Sequence, residues 1–262
     1  MERTPIQPDL SAIPPIFHPY FRNAAVFDSS CSRAARVLFL DQGPGFYLKS
    51  APKGTLQREA ELTRFFHSRG MATEVLAYES DDRDWMLTLK VPGEDCLDPR
   101  YMADPVRLCD TTAELLRRLH SAPTDGCPVP DRTAEYLATA RRCWEGKAYD
   151  PTLFPDNWGY DTPESAWKVI EERAHLLRSD TLLHGDYCLP NIMLDDWHFS
   201  AFIDLDAGGI GDRHLDLFWG LWSLEFNLKT DRYRDRFLDA YGRDAICEDI
   251  FPLIAACEVF GR

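Results

Sequence analysis

The stretch Leu182-Leu183-His184-Gly185-Asp186-Tyr187-Cys188-Leu189-Pro190-Asn191-Ile192-Met193-Leu194, continued by Phe199-Ser200-Ala201-Phe202-Ile203-Asp204, decides how the chain reads. Its apolar runs meet polar groups: Leu182-Leu183 runs into Asp186, Asn191 opens Ile192–Leu194, and Phe202-Ile203 stops at Asp204. Short apolar runs bounded by turn residues read as buried strands, which gathers Asp186, Asn191 and Asp204 at one end of a small β element. Two carboxylates and an amide oxygen in one place call for a cation. Mg²⁺ prefers oxygen ligands and is commonly held by one or two carboxylates together with substrate phosphates, so it is the expected metal. The alternative is a strand-turn-strand in which Asp and Asn serve turn geometry alone.

The interval Asp186-x-x-x-x-Asn191 is similar to the catalytic-loop interval of protein kinases. There the Asp accepts the proton of the acceptor hydroxyl, the Asn holds a metal, and a later Asp holds metal too. Asp204 takes the place of that later residue, with Leu205-Asp206 after it instead of Phe-Gly. Asp206 is a weaker candidate for the metal, because Asp204 ends the strand. Cys188 lies inside the stretch but reads as a bystander, and His184 as a structural brace.

At 262 residues the chain is long enough for two lobes or one large domain, and 45% hydrophobic residues can fill a core. Forty-three acidic against 29 basic residues give a net charge of −14, which argues against nucleic acid and suits a cationic small molecule. No basic segment leads into an apolar one at Met1–Pro5 and no run reaches spanning length, so a cytoplasmic protein without membrane association is expected. The eight cysteines include no Cys-x-x-Cys pair and read as free thiols. The expected assembly is a monomer or weak homodimer.

Residues 1–23 carry five prolines and little periodicity, and are expected to lie along the surface as an irregular arm. Five strand-like runs follow, at 24–27, 36–40, 46–49, 74–78 and 85–89, with Gly43-Pro44-Gly45 marking a hairpin. The serine-rich connector 28–35 is either a phosphate-cradling nest or an ordinary turn. Lys49 ends the third strand, and a helix from Gly54-Thr55 to about Arg69 takes Thr55 as its N-cap. Glu59 falls near the apolar face of that helix, where a carboxylate needs a cation; a strand lysine paired with a helix glutamate is how protein kinases hold nucleotide phosphates. The pattern breaks at Lys90-Val91-Pro92-Gly93 and turns helical, which sets a boundary near residue 92. The fold class is α+β: a kinase-like, bilobal plan with a five-stranded antiparallel N-terminal lobe (1–92) and a larger helical lobe (93–262). Lys90 and Val91 would then meet a nucleotide base. In the second lobe Val106, Cys109, Ala113, Leu116 and His120 mark an amphipathic helix opened by Asp104-Pro105, with His120 structural. Further helices are expected at about 134–145, 162–177, 212–228, 231–241 and 249–260.

At His184-Gly185-Asp186…Asn191 and Phe202-Ile203-Asp204 the sequence resembles the aminoglycoside phosphotransferases, and among them the 3′-phosphotransferases acting on kanamycin-like drugs. Gly45-Phe46-Tyr47-Leu48-Lys49, Arg58-Glu59, Leu119-His120-Ser121, Asp156-Asn157-Trp158 and Asp161-Thr162-Pro163 look like blocks of the same family. The resemblance implies ATP as donor, without excluding GTP, Asp186 as catalytic base, and Asn191 and Asp204 as Mg²⁺ ligands. It further implies Lys49 on the α/β-phosphates with Glu59 positioning it, Ser32 at the β-phosphate, and Asp156, Asp186 and Glu258 toward an aminoglycoside.

The substrate side departs from the family pattern. Asp206-Ala207-Gly208-Gly209 stands where Gly-Arg often follows the metal Asp, Gly159 where a second acid is common, Phe226 and Asn227 where acids are expected, and Cys257 in place of an acid. Fewer carboxylates weaken attraction for a polycation. Two other readings therefore stay open: a kinase of another hydroxylated or cationic metabolite, and a nucleotide-binding module without turnover.

Overall fold

The computed structural model describes residues 3–31, 34–149 and 159–261. They fall into two compact units, Met1–Cys96 with Pro190–Asp206, and Leu97–Leu189 with Ala207–Arg262. The first unit thus regains a segment far along the chain, which a single boundary near residue 92 does not anticipate.

The first unit is built on β1 (Thr4–Pro5), β2 (Ala25–Asp28), β3 (Arg36–Asp41), β4 (Phe46–Pro52), α1 (Gln57–His67), β5 (Val75–Ser80), β6 (Arg83–Leu89) and β7 (Glu94–Asp95). Six strands form one antiparallel sheet in the order β1-β2-β3-β4-β6-β5. All five anticipated strands are in it. The sixth corrects the reading of the arm: Thr4–Pro5 pairs with Phe27–Asp28, and the Ile6 N–H reaches the Val26 oxygen at 2.9 Å. Two residues are too few to show an alternation, so this strand left no periodic trace. Nor does the arm stay on the surface. A 3₁₀ segment, Pro15–Phe21, buries Phe17 and Phe21 against Leu38, Leu40, Leu48 and Leu87. Side chains alternate across a strand, so the opposite face of β3, β4 and β6 carries the paired Val37, Lys49 and Met86 and the paired Phe39, Tyr47 and Thr88.

The β3–β4 hairpin closes with the Gly45 N–H on the Gln42 oxygen at 2.9 Å, and Gly43 and Gly45 take φ of 56° and 84°. Helix α1 begins later than the sequence suggested, and Thr55 is not its cap. The Thr55 hydroxyl donates to the Pro52 carbonyl at 2.6 Å, while Asp84 on β6 accepts the Leu56 N–H at 2.9 Å and the Ser80 hydroxyl at 2.7 Å. A capping carboxylate from another strand cannot be read from local spacing. The helix buries Glu59, Ala60, Leu62, Thr63, Phe65 and Phe66. Strands Ile192–Asp195 and His198–Phe202 form an antiparallel hairpin that also pairs with β7. Gly93, at φ 85°, packs so tightly there that a Cβ would lie 1.9 Å from the Leu194 oxygen.

The second unit holds α2 (Pro99–Met102), α3 (Pro105–His120), α4 (Arg132–Glu145), α5 (Pro163–Arg173), α6 (His214–Leu228), α7 (Arg234–Tyr241) and α8 (Phe251–Glu258). Strand Thr181–Leu183 pairs antiparallel with Gly209–Gly211. Asp104 and Asp131 accept the N–H groups of Arg107 and Ala134, and Thr162 with Ser165 forms a capping box. On α3 the buried stripe is Leu108, Cys109, Thr112, Ala113, Leu116 and Leu119. Val106 is 44% exposed, at the edge of that stripe in the first turn of the helix. Among the described residues no helix is long and apolar enough to cross a membrane, and no disulfide joins the eight cysteines.

Candidate functional site

In the first unit Lys49, brought to the open face of the sheet by strand alternation, points its ammonium at two carboxylates. Its Nζ donates to Glu59 Oε1 and Oε2 at 2.9 and 2.8 Å and to Asp204 Oδ1 at 2.7 Å. Glu59 is 4% exposed, so the apolar-face placement read from helical spacing is realised together with the cation it required. Burial works against the Lys49 charge, but Asp204 and Glu59 outweigh it and hold the lysine pKa well above its ordinary value. Burial pushes the Glu59 carboxyl up to about 7, with the Lys49 ammonium pulling the other way.

These groups line a cavity whose wall also includes Ser29, Cys31, Val37, Tyr47, Met86, Leu89, Lys90, Val91 and Ile203. Lys90 and Val91 therefore share one cavity with Lys49, Glu59 and Asp204. The Lys90 N–H bonds the Gly45 oxygen at 3.0 Å, tying the segment after β6 to the hairpin turn. In the connector after β2, the Ser30 N–H is held by Asp28 Oδ1 at 3.0 Å and the Ser30 hydroxyl accepts the Val37 N–H at 2.9 Å. Ser32 lies outside the described residues.

Asn191 and Asp204 sit at the base of the hairpin, where the Ile203 N–H meets the Asn191 oxygen at 3.1 Å. Asn191 is buried, whereas the Asp204 side chain is 54% exposed and its φ of 55° turns it out of the strand direction. Among the described residues no group of three or more His, Cys, Asp or Glu gathers as a metal cage. A carboxylate and an amide oxygen are hard donors that fit Mg²⁺, whose other ligands come with phosphate and water.

In the second unit, the turn carrying Asp186 is fixed by its backbone. Asp216, fully buried in the first turn of α6, accepts the N–H of His184 at 2.7 Å and of Gly185 at 2.8 Å. Its Oδ2 also meets His120 Nε2 at 3.2 Å, and His120 Nδ1 meets the Tyr241 hydroxyl at 2.8 Å. Gly185, at φ 87°, admits no side chain, since a Cβ would lie 1.9 Å from the Ala207 oxygen. The Asp186 N–H donates to His184 Nδ1 at 3.3 Å. Farther along, the Tyr187 hydroxyl donates to the Thr112 oxygen at 2.7 Å and the Leu189 N–H to Ser223 Oγ at 2.9 Å. The Cys188 thiol is held protonated by burial and by the neighbouring Asp186 charge, a poor state for a nucleophile.

Glu258, at the end of α8, is 7% exposed and accepts the Tyr136 hydroxyl at 2.7 Å. Asp156 lies outside the described residues.

Two side chains escaped the sequence reading. Asp216 left a faint signal, an acid in an otherwise apolar helix start. Arg3 left none, being in the arm. It lines the cavity, its guanidinium lies 3.9 Å from the Phe39 ring centre, and its Nη2 donates to the Tyr47 hydroxyl at 2.8 Å.

Residues 28–250 match the model of the phosphotransferase enzyme family. The chain belongs to that family. It is 47% identical over 255 residues to a probable aminoglycoside 3′-phosphotransferase of Lactococcus lactis, covering 97% of each chain. Identity to an aminoglycoside 3′-phosphotransferase of Niallia circulans is 30% over 213 residues, covering 79% of this chain and 80% of that one. Among solved structures, a type VIII aminoglycoside-3′-phosphotransferase superposes with a TM-score of 0.73 at 24% identity, covering 90% of this chain and 93% of that one. A Streptomyces rimosus aminoglycoside phosphotransferase in complex with ADP and streptomycin gives 0.71 at 22% identity, covering 96% and 99%. Both share the fold.

Proposed function

We propose that the protein transfers the γ-phosphoryl group of ATP to the 3′-hydroxyl of an aminoglycoside, with Mg²⁺, and so confers resistance to such drugs. The observation that carries this reading is near full-length identity of 47% to a probable 3′-phosphotransferase. The Lys49–Glu59–Asp204 cluster and the braced Asp186 turn support it with the chemistry such a transfer needs.

The Asp186 carboxylate accepts the proton of the acceptor hydroxyl as that oxygen bonds to the γ-phosphorus; the bond from phosphorus to the β-phosphate oxygen breaks and ADP leaves. Positioning and charge stabilisation do most of the work in such reactions, since the transition state demands little covalent chemistry of the protein. Lys49 takes the α/β-phosphates, Glu59 holds Lys49 in place, and Lys90 and Val91 offer backbone to the base. Asn191 and Asp204 would hold Mg²⁺, which supplies neutralisation of phosphate charge. Ser32 is assigned to the β-phosphate, and Asp156 and Glu258 to the drug.

An ADP-release assay with Mg-ATP tests this against kanamycin and its 3′-deoxy relative tobramycin. Turnover of kanamycin alone is expected. Asp186→Ala should lower kcat by about 10²–10⁴-fold while nucleotide still binds. Unchanged activity removes Asp186 from the mechanism, and silence toward every drug redirects the chemistry to another hydroxylated metabolite.

A further inference from the structure

We propose that Trp222 and Phe226 on α6 form an aromatic platform that receives an ammonium-bearing sugar ring of the substrate. The proposal rests on the aminoglycoside reading above and names how the acceptor is held. The two rings stack with centroids 4.9 Å apart and planes 11° from parallel, and Trp219 meets Trp222 edge-on at 5.4 Å. Phe226 is 53% exposed, an unusual place for a phenyl ring on a helix with an apolar core face of its own.

Three observations give this patch its occupant. The first is position. Asp216, Gly220 and Ser223 recur at helical steps and meet the Asp186 turn: Asp216 holds two of its amides, a Cβ on Gly220 would touch Tyr187 at 3.3 Å, and Ser223 takes the Leu189 N–H. Trp222 adjoins Ser223 in sequence and Phe226 lies about one turn beyond it, on a face about 90° round the helix from the one that meets the turn. The second is chemistry. Lys229 Nζ sits 4.1 Å from the Phe226 ring centre, so the ring already receives an ammonium, the same group an amino sugar presents. The third is charge: Glu225 lies next to Phe226 and the chain carries a net charge of −14, so a cation is drawn toward the ring, and Lys229 is the resident cation that the substrate displaces.

Steady-state kinetics with kanamycin and Mg-ATP on wild type, Phe226→Leu and Lys229→Met test the platform. Leucine keeps the apolar bulk and removes the ring face. The expected result for Phe226→Leu is a two- to five-fold rise in the kanamycin KM, about what an exposed cation–π contact is worth, with kcat and the ATP KM unmoved. Lys229→Met should lower the kanamycin KM, and by less when combined with Phe226→Leu, a coupling that loss of a positive charge alone does not produce. Wild-type turnover with an unmoved kanamycin KM in Phe226→Leu overturns the platform alone. A wild type silent toward every aminoglycoside removes the substrate reading and the platform with it.

Discussion

Lys49 answers two carboxylates at once, and the division of its three hydrogen bonds has consequences for the donor nucleotide. Glu59 is buried and bidentate, so it fixes where the ammonium sits. Asp204 is half-exposed and single-bonded, so it is the partner more easily exchanged. Replacing Glu59 by Gln keeps the volume and removes the charge. The expected outcome is a rise in the ATP KM and a tenfold or greater loss of kcat/KM, read by ADP release. The accompanying stability loss should be about 1–2 kcal/mol in denaturant titration, below the ~3–5 kcal/mol of a fully broken buried pair, because Lys49 keeps Asp204. An unaltered ATP KM would show that Glu59 does not position the lysine.

At the scale of elements, the joints are made by carboxylates reaching from one element to another. Asp84 on β6 caps α1, the helix that carries Glu59. Asp84→Ala strands the buried Leu56 N–H and should cost about 1–2 kcal/mol, seen as a lower melting temperature. Thr55→Ala, at the residue that looked like the cap, should stay within about 0.5 kcal/mol. In the second unit, His120 links α3 to α6 through Asp216 and to α7 through Tyr241. Burial depresses the His120 pKa below its ordinary 6.5, more than the Asp216 carboxylate restores. As pH falls through about 6.5 the unfolded chain therefore takes the proton first, and stability drops. The slope is at most about 1.4 kcal/mol per pH unit for one group. Thermal melts between pH 7.5 and 5.5 should show this decline, and His120→Gln should flatten it. An equal slope in the variant would assign the decline to other groups.

Over the whole molecule, a net charge of −14 sets a field that draws in a cation from a distance. The kanamycin KM should therefore rise with ionic strength between about 0.05 and 0.3 M, as the Debye length shrinks toward the size of the site. A KM flat in salt would leave short-range contacts as the main source of affinity. The stretch 182–204 was legible in the sequence because its pattern is local: Asp186 and Asp204 follow strands and Asn191 opens one, at spacings that neither packing nor topology needs to supply. Lys49 and Glu59 were legible as well, since each sits at a definite phase of its own strand or helix. The five main strands and most helices followed from the same periodicities. Other features came only from folding. The arm became a strand and a buried 3₁₀ turn, Arg3 reached the cavity, Asp84 replaced Thr55 as the cap, and the hairpin at 192–202 joined the first unit. Each depends on contacts between residues far apart in the chain, and such contacts leave no period in the sequence. By itself the sequence determined which polar groups stand at the ends or on the apolar faces of its strands and helices; only the tertiary structure decided their partners, because burial and hydrogen bonding across elements are set by packing rather than by spacing.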